Sequence, residues 1–269
     1  MNRFDLKKKN VLITGAAGLL GEQHAKAILE INGSVILTDI KNSKLLTLKE
    51  KLTKNYQQKN IYTLKMDISS EKSIEKALKN LKKKKIIVDI LINNAALNPQ
   101  PNKNFYQYKL ENFDLYDWNS EIKVGLTGYF LCIKYFGSDM AKRNRGVILN
   151  ISSDLSVISP DQRIYKKKGN KNQYYKPVTY SVIKTGISGL TRYVSTYWAS
   201  NNIRCNSLSP GGIFNKQNEE FVKKIKKLIP LNRLANNSEY KEAIQFLCSD
   251  ASSYMTGQNI IIDGGRSVW

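Results

Sequence analysis

The chain has no apolar run approaching the roughly 18 residues that a membrane-spanning helix requires. Its first residues, MNRFDLKKKNVLITG, pass from a basic start directly into a short strand-like run. Neither a spanning segment nor a cleaved leader is expected, so the sequence reads as a soluble, unprocessed, cytoplasmic protein. Cysteine is scarce: Cys132, Cys205 and Cys248 are far apart, odd in number and set among apolar or small residues. This pattern excludes a disulfide framework and a Cys-based metal site, and each is read as a small buried hydrophobe in a reducing compartment. No metal is expected. Internal repeats, flexible linkers and low-complexity tracts are missing as well, apart from a bias toward Lys. With 269 residues and 41% hydrophobic content, one α/β domain spanning residues 1–269 is expected.

Acidic residues are also few, 22 Asp and Glu against 43 Lys and Arg, for a formal net charge of +21. Clustered cations would point to nucleic acid or an anionic membrane. Here the lysines are dispersed, with runs such as Lys7–Lys9 and Lys82–Lys85 at the edges of predicted elements, and Asn and Ile are equally abundant. The charge therefore reads as a solvated surface. A small molecule is the expected partner, with no nucleic acid and no membrane.

Short β-branched or apolar runs recur at Val11–Thr14, Ser34–Leu37, Ile61–Met66, Val88–Ile92, Gly146–Ile151, Ile203–Leu208 and Asn259–Ile262, with helix-like stretches between them. Strands alternating with helices indicate βαβ units, hence a parallel sheet with right-handed crossovers and helices on both faces. Ligands of such sheets bind beyond the carboxyl ends of the strands, near the reversal of strand order. The residues that follow each run are therefore the ones to inspect.

After the first run comes Thr14-Gly15-Ala16-Ala17-Gly18-Leu19-Leu20-Gly21, followed by the helical periodicity of Ala25, Ile28 and Leu29. Glycines at a strand-to-helix turn permit a tight bend and close approach of a pyrophosphate, to which the helix N-terminus offers free N–H groups. Asp39 ends the second run, at the distance along the chain expected of an acid that accepts from the adenosine ribose hydroxyls and repels a 2′-phosphate. NAD is favoured over NADP, although Lys41 and Lys44 nearby can still accommodate a phosphate. Further on, Tyr180-Ser181-Val182-Ile183-Lys184 sets a phenol and an ammonium one helical turn apart on one face. A nearby positive charge favours the phenolate and lowers a pKa of about 10, so the tyrosine can exchange a proton with a substrate hydroxyl or carbonyl. Ser152 and Ser153 end the fifth run, where one hydroxyl can polarise the substrate oxygen.

Taken together, the sequence resembles the single-domain branch of the short-chain dehydrogenase/reductase family over nearly its whole length. Beside TGAAGLLG and YSVIK it carries Asp67-Ile68, Asn93-Asn94-Ala95-Ala96, Asn150-Ile151-Ser152-Ser153, Ser209-Pro210-Gly211-Gly212 and Asp263-Gly264-Gly265, in the family's order. The resemblance implies an α/β, Rossmann-type doubly wound parallel sheet of about seven strands with helices on both faces. It implies Ser153, Tyr180 and Lys184 as the catalytic group. Around the cofactor it implies Gly15, Gly18, Leu20, Gly21, Asp39, Asp67, Ile68, Asn94 and Ala95, with Pro210, Gly211 and Ile213 by the nicotinamide and Tyr180 and Lys184 beside its ribose. Dimers or tetramers through helices Trp118–Gly137 and Val178–Ser200 are implied too.

Three departures from the pattern stand out. The middle glycine falls at Gly18, a spacing nearer that of the family's extended, nucleotide-sugar-modifying branch. Gly125 occupies the position where the family's proton-relay asparagine is usual. An insertion at about 162–175 separates Ser153 from Tyr180, and its Lys166, Lys167, Lys168 and Tyr175 are candidate substrate contacts; an ordinary solvated loop is the other reading. The spellings TGAAGLLG, YKPVTYS and DGGRSVW resemble a subgroup from bacterial surface-glycan pathways. The expected function is hydride transfer between NAD(P) and a hydroxyl or carbonyl carbon of a polar, anionic, sugar-like substrate. The alternative is a cofactor-binding protein with little turnover, motivated by Gly125.

Overall fold

The computed structural model describes residues 2–97, 109–166 and 174–269. Each expected run forms a strand: β1 Asn10–Thr14, β2 Ser34–Asp39, β3 Ile61–Lys65, β4 Ile90–Asn93, β5 Gly146–Ile151, β6 Ile203–Pro210 and β7 Asn259–Ile262. They make one sheet in the order β3-β2-β1-β4-β5-β6-β7, and every neighbouring pair is parallel. The chain works outward from β1 to β3, then crosses to β4 on the other side of β1. That reversal opens a crevice between the carboxyl ends of β1 and β4.

The central strands are apolar throughout because both faces are covered. Successive residues of β1 serve opposite layers: Val11 and Ile13 pack with α1 Leu19–Glu30, α2 Asn42–Thr53 and α9 Lys241–Cys248. Leu12 instead joins the layer containing Ile74, Ala77 and Leu81 of α3 Glu71–Lys83 and Val194 of α7 Val178–Tyr197. Fully burying one such Leu or Ile contributes on the order of 1.5–3 kcal/mol. The three cysteines are free and buried. The lysine run 82–85 ends the amphipathic α3 and continues just past it, on the solvated side, where Lys82 reaches Asp139 at 2.6 Å across the surface.

The helix expected from Trp118 differs in detail. It begins at Leu115, where the Asp114 carboxylate accepts from the Tyr116 N–H at 2.6 Å. It then runs as α4 Leu115–Ile122, α5 Gly128–Cys132 and α6 Ser138–Lys142, joined by wide π turns at Lys123–Thr127 and Ile133–Gly137. Close packing accounts for the first of these turns. A Cβ on Gly125 would lie 2.8 Å from Ile183 of α7, and one on Gly128 would lie 2.8 Å from Ile68. The helix can approach both neighbours only where it carries no side chain, and π turns commonly mark such functional contacts. Among the described residues no helix is long and apolar enough to cross a membrane.

Candidate active site

A cavity of about 580 Å³ lies across the carboxyl ends of the strands. One half is built by the turns after β1 to β4. Gly15 has φ +61°, and a Cβ there would lie 2.7 Å from the Ala95 Cα, so glycine is required for the β1 turn to sit against the β4 turn. Asn94 staples the two: its amide nitrogen donates to the Thr14 and Gly15 carbonyls at 2.9 and 3.1 Å. The Thr14 hydroxyl oxygen accepts from the Asn94 and Ala95 N–H groups at 2.9 and 3.1 Å. Gly18 precedes α1 without a side-chain cap, which leaves first-turn N–H groups for a ligand.

Asp39 lines the cavity at the end of β2, one carboxylate oxygen accepting from the Lys41 N–H at 3.1 Å. Asp67 is oriented by Ser69, whose N–H and hydroxyl donate to it at 2.9 and 2.7 Å. Of the expected cofactor residues, Gly15, Gly18, Leu20, Asp39, Asp67, Ile68, Asn94, Ala95, Tyr180, Lys184, Gly211 and Ile213 line the cavity. Gly21 does not, being buried under the turn, and neither does Pro210, which is buried at the end of β6. A bare helix N-terminus beside a strand-end carboxylate suits a dinucleotide: pyrophosphate on the N–H groups, ribose on the acid.

The other half surrounds Tyr180. The two serines after β5 have separate duties. Ser152 donates to the Lys184 carbonyl at 2.9 Å and so ties the strand to α7. Ser153 faces the phenol of Tyr180. Its hydroxyl donates to Asp154 at 2.8 Å and accepts from the Leu155 N–H at 3.2 Å. The Lys184 ammonium is 5.7 Å from the Tyr180 ring centroid and donates to the Ile151 carbonyl at 3.0 Å, which also accepts from the Tyr129 hydroxyl at 3.1 Å.

Burial raises the pKa of Tyr180, Ser153 opposes the rise and Asp154 adds to it. Burial pushes Lys184 down to about 7, and Lys176 pushes in the same direction. The sequence-based expectation that Lys184 holds the phenol below its ordinary value therefore differs from the structure. Desolvation is the largest influence on the phenol, and it favours the neutral form.

Three residues at this end, Asp154, Lys176 and Arg266, were not singled out in the sequence. Asp154 pairs with Arg266 at 2.8 Å, their side chains 4% and 7% exposed. Lys176 sets its ammonium 3.7 Å from the Tyr180 ring centroid. Tyr165 lines the cavity beside them. Their stretches were noted, but nothing local to DGGRSVW or YKPVTYS says that the charge is turned inward.

The insertion emerges here. Gln162 clamps its base, its amide oxygen accepting from the Lys176 N–H at 2.9 Å and its nitrogen donating to the Lys176 carbonyl at 3.3 Å. Tyr165 packs edge-on to Tyr174 and tilted on Phe221 of α8 Glu219–Lys226, both at 5.6 Å. Lys166 is exposed, its carbonyl accepting from the Lys224 ammonium, and Tyr175 is half-buried; neither lines the cavity. Lys167 and Lys168 lie outside the described residues.

A family model described as "Enoyl-(Acyl carrier protein) reductase" matches residues 15–267. The chain belongs to the short-chain dehydrogenase/reductase family. It is 31% identical to a 3-oxoacyl-(acyl-carrier-protein) reductase of Aquifex aeolicus, over 97% of this chain and 98% of that one. It is 30% identical to an NAD-dependent glycerol dehydrogenase of Listeria innocua, over 98% and 96%. With the post-translational flagellin modification protein A of Campylobacter coli it shares 28% identity over 97% and 98%. Among solved structures, a short-chain dehydrogenase from Leptospira borgpetersenii with bound NAD+ superposes with TM-score 0.85 at 30% identity, covering 98% of this chain and 94% of that one. A gluconate 5-dehydrogenase from Burkholderia cenocepacia, in complex with NADP and tartrate, superposes with TM-score 0.86 at 24% identity, covering 100% and 98%. This short-chain dehydrogenase/reductase is thus an oxidoreductase that uses a nicotinamide cofactor.

Proposed function

We propose that this oxidoreductase acts on a hydroxyl or carbonyl carbon of a polar, anionic, sugar-like substrate, with Tyr180 exchanging the proton and NAD preferred to NADP. The observation that carries the reading is the phenol of Tyr180, set between Ser153 and two lysine ammonium groups in one cavity with a dinucleotide-shaped half. When bound, the nicotinamide supplies or accepts the hydride. Ser153 polarises the substrate oxygen once its single hydroxyl donor turns to it from Asp154. Tyr180, protonated because burial favours the neutral phenol, gives its proton to a carbonyl oxygen, so the groups as they stand suit reduction. Lys184 holds the ribose and returns a proton to the phenol, as a group titrating at about 7 can do at neutral pH.

Asp39 at the ribose position supports the preference for NAD. The polar substrate is supported by the Asp154–Arg266 pair and Lys176 on the cavity wall, and by the flat faces of Tyr165 and Phe221. The glycerol dehydrogenase among the relatives supports a polyhydroxy substrate. We further propose a cytoplasmic homodimer or homotetramer, supported by exposed Phe130, Tyr193 and Tyr197 on the two helices. The alternative, a binder without turnover, draws on Gly125, whose space is filled by Ile183.

The test is NAD(H) turnover over a panel of polyols, hydroxy acids and their carbonyl forms, with NADH binding measured in parallel. Tyr180→Phe should lower turnover more than a hundredfold, the loss typical of a proton-transfer group, with NADH affinity retained. Saturable NADH binding with no turnover on any substrate would favour the alternative.

A further inference from the structure

Lys176 is a charged group of the cavity to which the reaction above assigns no step. It lies four residues before Tyr180, at the mouth of the insertion, with its backbone fixed on both sides by Gln162. Its ammonium rests against the Tyr180 ring, 3.7 Å from the centroid, and the residue lines the cavity. An ammonium carries three donors and no acceptor. Among the described residues, no hydrogen-bond acceptor and no carboxylate at ion-pair distance meets this one. The carboxylates nearby are committed elsewhere. Asp154 takes Arg266 and the Ser153 hydroxyl, each at 2.8 Å. Glu121 accepts the Thr179 hydroxyl.

A half-buried ammonium with no counter-ion among the described residues is costly. Burial accordingly pushes Lys176 down to about 8, against the opposing pull of Asp154 and Glu121. Around Tyr180 the cavity wall carries Lys176, Lys184 and Arg266 against Asp154, so positive charge is in excess after Arg266 and Asp154 pair. Lys184 is turned to the Ile151 carbonyl. Lys176 is the cation left facing the space that a substrate must enter to reach the phenol.

We infer that Lys176 binds the anionic group of the substrate, a carboxylate placed within a few bonds of the carbon that is oxidised or reduced. The short spacing follows from contact: the ammonium touches the ring whose hydroxyl must meet the reacting oxygen. One ammonium, with Arg266 already paired, matches a monoanion better than a phosphate dianion. The inference rests on the anionic-substrate reading and names the residue and the group that would realise it.

The experiment measures binding to the NADH-loaded protein by NADH fluorescence, for gluconate against glucitol and glycerate against glycerol. Wild type, Lys176→Met, Lys176→Gln and Lys176→Arg are compared. The wild type should bind a carboxylate roughly tenfold tighter than its neutral partner, as a charge-assisted hydrogen bond allows. In the Met and Gln variants the ratio should fall to near one, with affinity for NADH and for the neutral partner kept; the Arg variant should keep part of the ratio. A ratio that survives in the Met and Gln variants overturns the role of Lys176 and leaves the anionic reading standing. Equal loss of both members of a pair assigns Lys176 to structure and overturns the inference too. A ratio near one in the wild type, for both pairs, overturns the anionic reading and the inference with it.

Discussion

Neighbouring residues of one type can do unlike work, and the two serines after β5 illustrate why position in a motif is not role. Ser152 spends its proton on the Lys184 carbonyl and is buried, whereas Ser153 lies between Asp154 and the Tyr180 phenol. Ser152→Ala should therefore cost about 0.5–1.5 kcal/mol in stability, plus the penalty of an unsatisfied carbonyl, with little change in rate per folded molecule. Ser153→Ala also loses its buried bonds to Asp154 and Leu155, but in addition should lower kcat per folded molecule by more than tenfold. Denaturant unfolding and steady-state rates on both variants check this, and equal loss of rate in the two would remove the distinction. Asp154 is part of the same arrangement, because it accepts a hydrogen bond from the Ser153 hydroxyl and so competes with the substrate oxygen for that one donor. Arg266 pairs with Asp154 at 2.8 Å where both side chains are buried.

At the scale of elements, the long helix 115–142 and α7 fit only as a pair. Ile183, inside the YSVIK turn, occupies the space beside Gly125. Gly125→Asn restores the residue usual in the family but should destabilise by about 1–3 kcal/mol through overpacking, and should not raise turnover. Adding Ile183→Ala should recover part of that loss, a coupling that a double-mutant cycle of unfolding free energies measures. Additive losses would show that the two positions do not press on one another.

The same comparison explains what could be read without a structure. Runs such as Val11–Ile13 are apolar on both faces because parallel strands are covered on both sides, so all seven strands were legible within a few residues. Tyr180 and Lys184 were legible because one helix sets their spacing, and Asp39 because it ends a strand. The Asp154–Arg266 pair joins residues 112 apart in sequence, and the first wide turn of helix 115–142 packs on Ile183. Neither leaves a local pattern. Lys176 was hidden by abundance: in a chain with 43 Lys and Arg, nothing nearby marks the one that turns inward.

For the whole molecule, a net charge of +21 looks like the dominant electrostatic fact, yet the surface lysines are screened and the buried ones decide the response to pH. Lys184 titrates at about 7 and Lys176 at about 8 in the folded protein, both lowered first by burial. In the unfolded chain both return to about 10.4. Between these limits the unfolded chain binds protons that the folded protein does not, so stability rises with pH; below about pH 7 both states are protonated and the burial penalty is present in full. The cysteines act oppositely. Burial raises all three thiols, Cys205 and Cys248 to about 12, so above about pH 9 the unfolded thiols ionise first; three thiols outweigh the two lysines and stability falls.

The urea midpoint of the cofactor-free protein should therefore climb from about pH 7 to a maximum near pH 9 and then decline. Relief of surface repulsion as lysines lose charge has the same sign, but high salt suppresses it and leaves the buried contribution. Measured at high salt, the Lys176→Met, Lys184→Met protein should be more stable than wild type near pH 7 and should lose most of the climb, while keeping the decline above pH 9. A double variant whose midpoint climbs as steeply as wild type would mean that neither ammonium is held unprotonated by the fold.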